Sequence, residues 1–145
     1  MPVTKHPLSL IKPTADSLFH IDFDWWQEND SNWRIFLLSF LCPEHQDFFK
    51  DKEDTVKIDA VDPETAEIKK VDGLLYVLMN HCAKQDGFIG ENLPVIAKVL
   101  RTFLSNGNQP LSAGELAQII NRPVSTLLAT LTGSQVYKGI RQFQK

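Results

Sequence analysis

The stretch PLSAGELAQIINRPVSTLLATLTGSQVYKGIR, residues 110–141, limits the fold of this chain more than any other. Ser112 stands three residues before Glu115, the spacing of a capping box, in which each side chain satisfies a backbone N–H at a helix start. Leu116, Ala117, Ile119 and Ile120 supply an apolar helical face. Asn121 tolerates a left-handed backbone and can end that helix. Pro123 suits a first helical position because it has no N–H to leave unpaired. Val124, Leu127, Leu128 and Leu131 follow at helical spacing, and Gly133 marks the end of the second helix. Val136–Phe143 alternates imperfectly and predicts a strand or short hairpin.

The remainder of the chain predicts an α+β protein, mostly α. Its 145 residues suffice for one domain, or for two small ones sharing a core. Three prolines in the first thirteen residues and no periodicity predict an extended arm over residues 1–18. A helical body with a β-hairpin is expected over 19–90 and a second unit over 91–145. In the body, Phe19, Ile21 and Phe23 alternate with His20, Asp22 and Asp24, a strand pattern. Asp24 or Asp30 is a candidate helix cap. Trp33, Phe36, Leu37, Phe40 and Leu41 share one helical face, so a buried helix is expected over about 31–41, stopped by Pro43. Trp25 and Trp26 are expected to close one end of the core; an aromatic interface anchor is the alternative. The segment 45–54 reads as loop or ragged helix end. Val56, Ile58 and Ala60, then Ile68 and Val71 beyond an Asp-Pro-Glu-Thr turn signal, predict an exposed hairpin. Asp72 is placed to cap a helix running to about Lys84. Pro94 opens another, with Val95, Ile96, Val99, Leu100, Phe103 and Leu104 on one stripe.

The net charge of −3 conceals an asymmetry. Residues 101–145 hold five basic groups, Arg101, Arg122, Lys138, Arg141 and Lys145, against the single acid Glu115. The first hundred residues hold ten basic and seventeen acidic groups. A basic end on an acidic body fits an electrostatic footprint for nucleic acid. No apolar run nears the roughly 18 residues of a membrane span, and the first residues lack the apolar stretch of a secretory signal. A cytoplasmic location without membrane contact is the expectation.

The order helix, tight turn, helix, ribbon resembles the winged helix-turn-helix superfamily over the last third of the chain. Ala117 fits the small residue midway along the first helix of that pair, and Leu116 and Ile120 fit its apolar flanks. Asn121 stands where glycine often makes the turn. The apolar position after the turn falls on Arg122, a departure that Val124 could compensate. The resemblance implies DNA binding in transcriptional control, with a helix over about 124–132 in the major groove. Ser125, Thr126, Ala129 and Thr130 would face outward, with Arg122 at the helix entrance. Tyr137, Lys138 and Arg141 would serve the backbone or minor groove. The expected DNA-binding residues are therefore Arg122, Ser125, Thr126, Thr130, Tyr137, Lys138 and Arg141. A homodimer would present two such helices to adjacent grooves. The alternative is a non-enzymatic adaptor that docks another protein through the same fold.

Two further constellations bear on function. Cys42-Pro43-Glu44-His45 and His81-Cys82 together offer two sulfurs and two nitrogens, a set that suits tetrahedral zinc. Adjacent ligands on one helix, however, point about 100° apart. The expectation is no metal and no cofactor, with both cysteines acting as small hydrophobes. Asp22 and Asp24, beside His20, form a D-x-D that can hold a divalent cation, although a strand with one wet face explains it equally. No glycine-rich phosphate loop, G-x-S-x-G or H-E-x-x-H occurs, so no enzyme activity is expected.

Overall fold

A computed structural model of the chain describes residues 13–50, 57–61, 64–133 and 136–143. The protein is α+β and mostly helical, as expected. Strand β1 spans Leu18–Ile21. Helix α1 spans Phe23–Asn29, and its cap is Asp22, whose carboxylate accepts from the Trp25 N–H. Helix α2 covers Trp33–Leu38 and α3 covers Pro43–Phe49. Of the segment 45–54 read as loop or ragged helix end, the described part is thus helical as far as Phe49, and residues 51–54 lie outside the described residues. Pro43 starts a helix there rather than only stopping one, since a first-turn position needs no N–H. Hairpin strands β2 (Lys57–Val61) and β3 (Ile68–Asp72) pair antiparallel, with Val61 opposite Ile68. Part of the expected turn lies outside the described residues.

Asp72 caps α4 (Gly73–Asn80) by accepting from the Leu74 and Leu75 N–H groups. That helix is shorter than the pattern suggested. His81 leaves the helical conformation (φ −129, ψ −65), and Cys82–Lys84 form a single 3₁₀ turn. Helix α5 spans Val95–Ser105. After the two-residue strand β4 (Leu111–Ser112) comes α6 (Ala113–Ile120), with both halves of the capping box formed. Asn121 adopts the left-handed conformation (φ 58, ψ 55) and ends α6. Helix α7 covers Val124–Leu131, with Pro123 just outside as its cap. Strand β5 is Ile140–Gln142. No helix of the described residues is long and apolar enough to cross a membrane.

The three-stranded sheet joins the two ends of the chain. Its order is β4-β1-β5, with both pairings antiparallel. The central strand therefore comes from the segment assigned to the body, and its edge partners from the segment assigned to the second unit. Side-chain bonds add to the ladder. Asn108 Oδ1 accepts from the Ile21 N–H, and Asn108 Nδ2 donates to the Ile21 carbonyl, both at 2.8 Å. The described end of the N-terminal arm is bound as well, since Ala113 and Gly114 donate to the carbonyls of Ser17 and Ala15. Residues 1–12 of the expected arm lie outside the described residues. Among residues 136–143, a tight turn over 137–140 has positive φ at both Lys138 and Gly139, the geometry of a primed hairpin turn. The strand that leaves it pairs with β1.

One core runs through the described residues. Phe19, Ile21, Trp26, Leu37, Leu78, Leu100, Phe103, Leu116 and Leu127 are all 2% exposed or less. Trp26 packs edge-on to Trp33 and Phe36 and stacks on Phe23. Its indole N–H donates to Asp30 at 3.1 Å, so its one polar atom is satisfied. It fills the core role expected of the tryptophan pair, while Trp25 is half-buried beside it.

Two stability predictions follow from this packing. Trp26→Ala should lower the unfolding free energy by about 3–5 kcal/mol, as for other buried aromatics, read by urea titration. A Cβ at Gly139, where φ is +78, would lie 2.8 Å from the Asp22 carbonyl and 3.1 Å from the Trp26 Cβ. Gly139→Ala should therefore lower Tm clearly more than Gly107→Ala, where φ is +75 but nothing lies within 4 Å; equal shifts would contradict the steric account.

Candidate functional site

The outward face of α7 is open. Ser125, Thr126, Ala129 and Thr130 are exposed, while Leu127 is fully buried against α5 and α6. The helix has one apolar face and one small, uncharged face because its leucines recur at helical spacing. The hydroxyl of Thr130 donates to the Thr126 carbonyl one turn back, which tethers it to its own helix. Arg122 is exposed at the turn and donates to the adjacent Asn121 carbonyl. It borders a groove that Ile89, Glu91, Lys98 and Ile119 also line. Ile119 is 52% exposed.

The remaining predicted cations, Lys138 and Arg141, are paired with acids that flank α1. Lys138 Nζ lies 3.6 Å from the Asp30 carboxylate and 4.3 Å from the Phe36 ring centroid. Arg141 Nη1 lies 3.0 Å from Asp22 Oδ2, and its guanidinium sits over the Trp25 ring. The two cations thus neutralise the residues that cap the two ends of α1. The Asp30 carboxyl is held below the usual range, first by the Asn32 N–H and then by the Trp26 indole N–H, with Lys138 adding to both. Tyr137 is half-buried against the core. Arg101, counted in the basic end, is half-buried. Its guanidinium is 4.5 Å from the Phe40 ring centroid and 5.1 Å from that of Phe88, and Nη1 donates to the Phe88 carbonyl. Burial pushes its pKa down from the ordinary arginine value. Lys145 lies outside the described residues. Sequence distance hid these pairings, because each partner acid or ring lies in the body.

Asp22 and Asp24 do not form a shared carboxylate site. Asp22 caps α1 and binds Arg141, whereas Asp24 is exposed in the first turn of α1. His20 is pulled below its ordinary pKa, chiefly by burial, with Asp22 opposing that shift.

The second constellation does come together. Cys42 caps the start of α3, and His45 stands in its first turn. Cys42 Sγ lies 3.0 Å from His45 Nδ1 and 3.8 Å from His81 Nδ1. Cys82 Sγ lies 3.5 Å from Cys42 Sγ and 3.6 Å from His45 Nδ1. The His45 and His81 rings meet edge to face at 4.8 Å. One ligand atom from each of the four residues lies within 4.8 Å of all the others. The sequence objection, that neighbours on a helix diverge by about 100°, fails because α4 ends at Asn80: His81 is its C-cap with non-helical φ and ψ, and Cys82 opens a 3₁₀ turn. Burial pushes the Cys82 thiol up to about 11.

Arg101→Ala should lower unfolding free energy by about 1–2 kcal/mol through the lost ring contacts and packing. Arg141→Ala, whose pair is solvent-exposed, should cost less than about 1 kcal/mol. Urea titrations of the two variants distinguish a half-buried, ring-packed cation from a surface one. No family model, curated protein or solved structure matches this chain.

Proposed function

We propose that the chain is a non-enzymatic protein-docking module, with its contact surface at the elbow between α6 and α7. The order α5, β4, α6, α7 beside a small antiparallel sheet supports a winged-helix-like reading of the tail. The observation that carries the docking reading is the pairing of Lys138 and Arg141 with Asp30 and Asp22. Phosphate contacts by cations supply essentially all sequence-independent affinity for DNA. With Arg101 half-buried between two rings, Arg122 is the exposed cation of the described tail that is held by a backbone carbonyl rather than by an acid. Beside it lie an exposed isoleucine, Ile119, and the small neutral face of α7, which lets a partner backbone approach closely. Apolar contact at the centre of a patch with a few polar groups around it is the usual anatomy of a protein interface.

A second reading, DNA binding in transcriptional control, is favoured by the exposure of Ser125, Thr126 and Thr130 together with Arg122. Serine and threonine reach phosphates and base edges without strong discrimination. On this reading DNA must compete with Asp22 and Asp30 for two of its cations.

A salt series separates the two. Fluorescence anisotropy with labelled duplex DNA should show no complex for the wild type, even at low ionic strength. Asp22→Asn with Asp30→Asn frees Lys138 and Arg141 while keeping side chains that can cap, and should create weak, salt-sensitive binding. A wild-type complex that weakens steeply with salt would replace the docking reading with the DNA reading. A photo-crosslinking residue at position 119, in cells making the chain, should give a discrete protein adduct absent when it is placed at Glu28. Adducts to nucleic acid, or equal labelling at both positions, would overturn the docking surface.

A further inference from the structure

We propose that Cys42, His45, His81 and Cys82 form a closed, structural zinc site. The donor set is the first argument. Two thiolates and two imidazoles in tetrahedral array select zinc among the common divalent ions. Distance is the second. With Zn–S near 2.3 Å and Zn–N near 2.05 Å, a tetrahedron has edges of about 3.8 Å (S to S), 3.6 Å (S to N) and 3.3 Å (N to N). The sulfurs stand 3.5 Å apart, and three sulfur-to-Nδ1 separations are 3.0, 3.6 and 3.8 Å. These four separations lie within about 0.6 Å of the ideal edges, and all four donors lie within 4.8 Å of one another, so they surround one ion-sized point. A disulfide is a poorer account of the same pair, since its sulfurs bond at about 2.05 Å and it would leave both imidazoles unexplained.

Four protein ligands leave no open position, which marks the site as structural rather than catalytic. Its place in the fold gives it work. Helix α3 has seven residues and buries only Phe49, too little apolar surface to fix it firmly. The ligands join the start of α3 to the end of α4, across the β2–β3 hairpin. A metal there closes the chain between residues 42 and 82 and anchors a weakly packed helix to the core through Cys82, which is 2% exposed. The break at His81 has the same rationale: a continuous helix would turn one of the two adjacent ligands away.

The test uses the full chain with Zn²⁺ or Co²⁺ as the only added ligand. Mass spectrometry of metal content should find one zinc per chain after purification without chelator. The chelated protein titrated with Co²⁺ should develop the visible and charge-transfer bands of tetrahedral cobalt thiolate, saturating at one equivalent. His81 is exposed, so His81→Asn should keep the wild-type circular dichroism yet lose zinc affinity by at least about tenfold, the loss that even outer-shell changes cause. Chelator should lower Tm for the wild type and leave Cys42→Ala unmoved. Substoichiometric metal, octahedral cobalt spectra, or wild-type affinity in His81→Asn would overturn the site. An unchanged wild-type Tm after metal removal would overturn its structural role.

Discussion

The pairing of β1 with β4 and β5 is the interaction on which the rest of the molecule depends. It places a strand from the start of the chain between two strands from its end. Backbone groups in that ladder are obligatory hydrogen-bonding groups, and burying them unpaired is costly. Asn108 completes the ladder by exchanging two bonds with Ile21. Once β1 is fixed, α1 follows directly from its end, and Trp26 enters the core at 0% exposure. Gly139 then lies against the Asp22 carbonyl, where a side chain would not fit. The division of the chain into a body and a tail is crossed by this sheet.

The same docking decides the electrostatics. With α1 held beside the 137–140 turn, its two capping aspartates come within reach of Lys138 and Arg141. These pairs change what the surface offers a partner. The tail is basic in composition, yet much of that charge is matched locally by acids of the body. The face of α7 that remains is small and neutral, which is what supports the docking reading proposed above.

In the layer formed by α2, α3 and the residues between them, Phe36 packs edge-on to Phe40, and Phe40 packs edge-on to Phe88. Arg101 is held between Phe40 and Phe88. The Cys–His cluster lies where this layer meets α4. A short helix with one buried residue and four convergent metal-type donors are two aspects of one local economy: little apolar burial, and a coordinating group to replace it.

Local chemistry was readable in the sequence because its causes lie within a few residues. The Ser112–Glu115 capping box, the left-handed stop at Asn121, the Asp72 cap and the leucine stripe of α7 all depend on neighbours one turn away. The hairpin β2–β3 was legible for the same reason, its alternation being short-range. Helix ends in the body were less so: α4 stops four residues early at Asn80, and Pro43 opens α3 inside a stretch too polar to show a periodic face. The sheet order, the partners of Lys138 and Arg141 and the half-burial of Arg101 lay beyond reading, and the Cys–His set could be named as a group but not brought together in space. Each joins residues tens of positions apart, and periodicity carries no information about which distant face packs on which. Sequence alone determined a mostly helical α+β chain with well-capped helices; tertiary packing decided which charges face water and which thiols and imidazoles share a point in space.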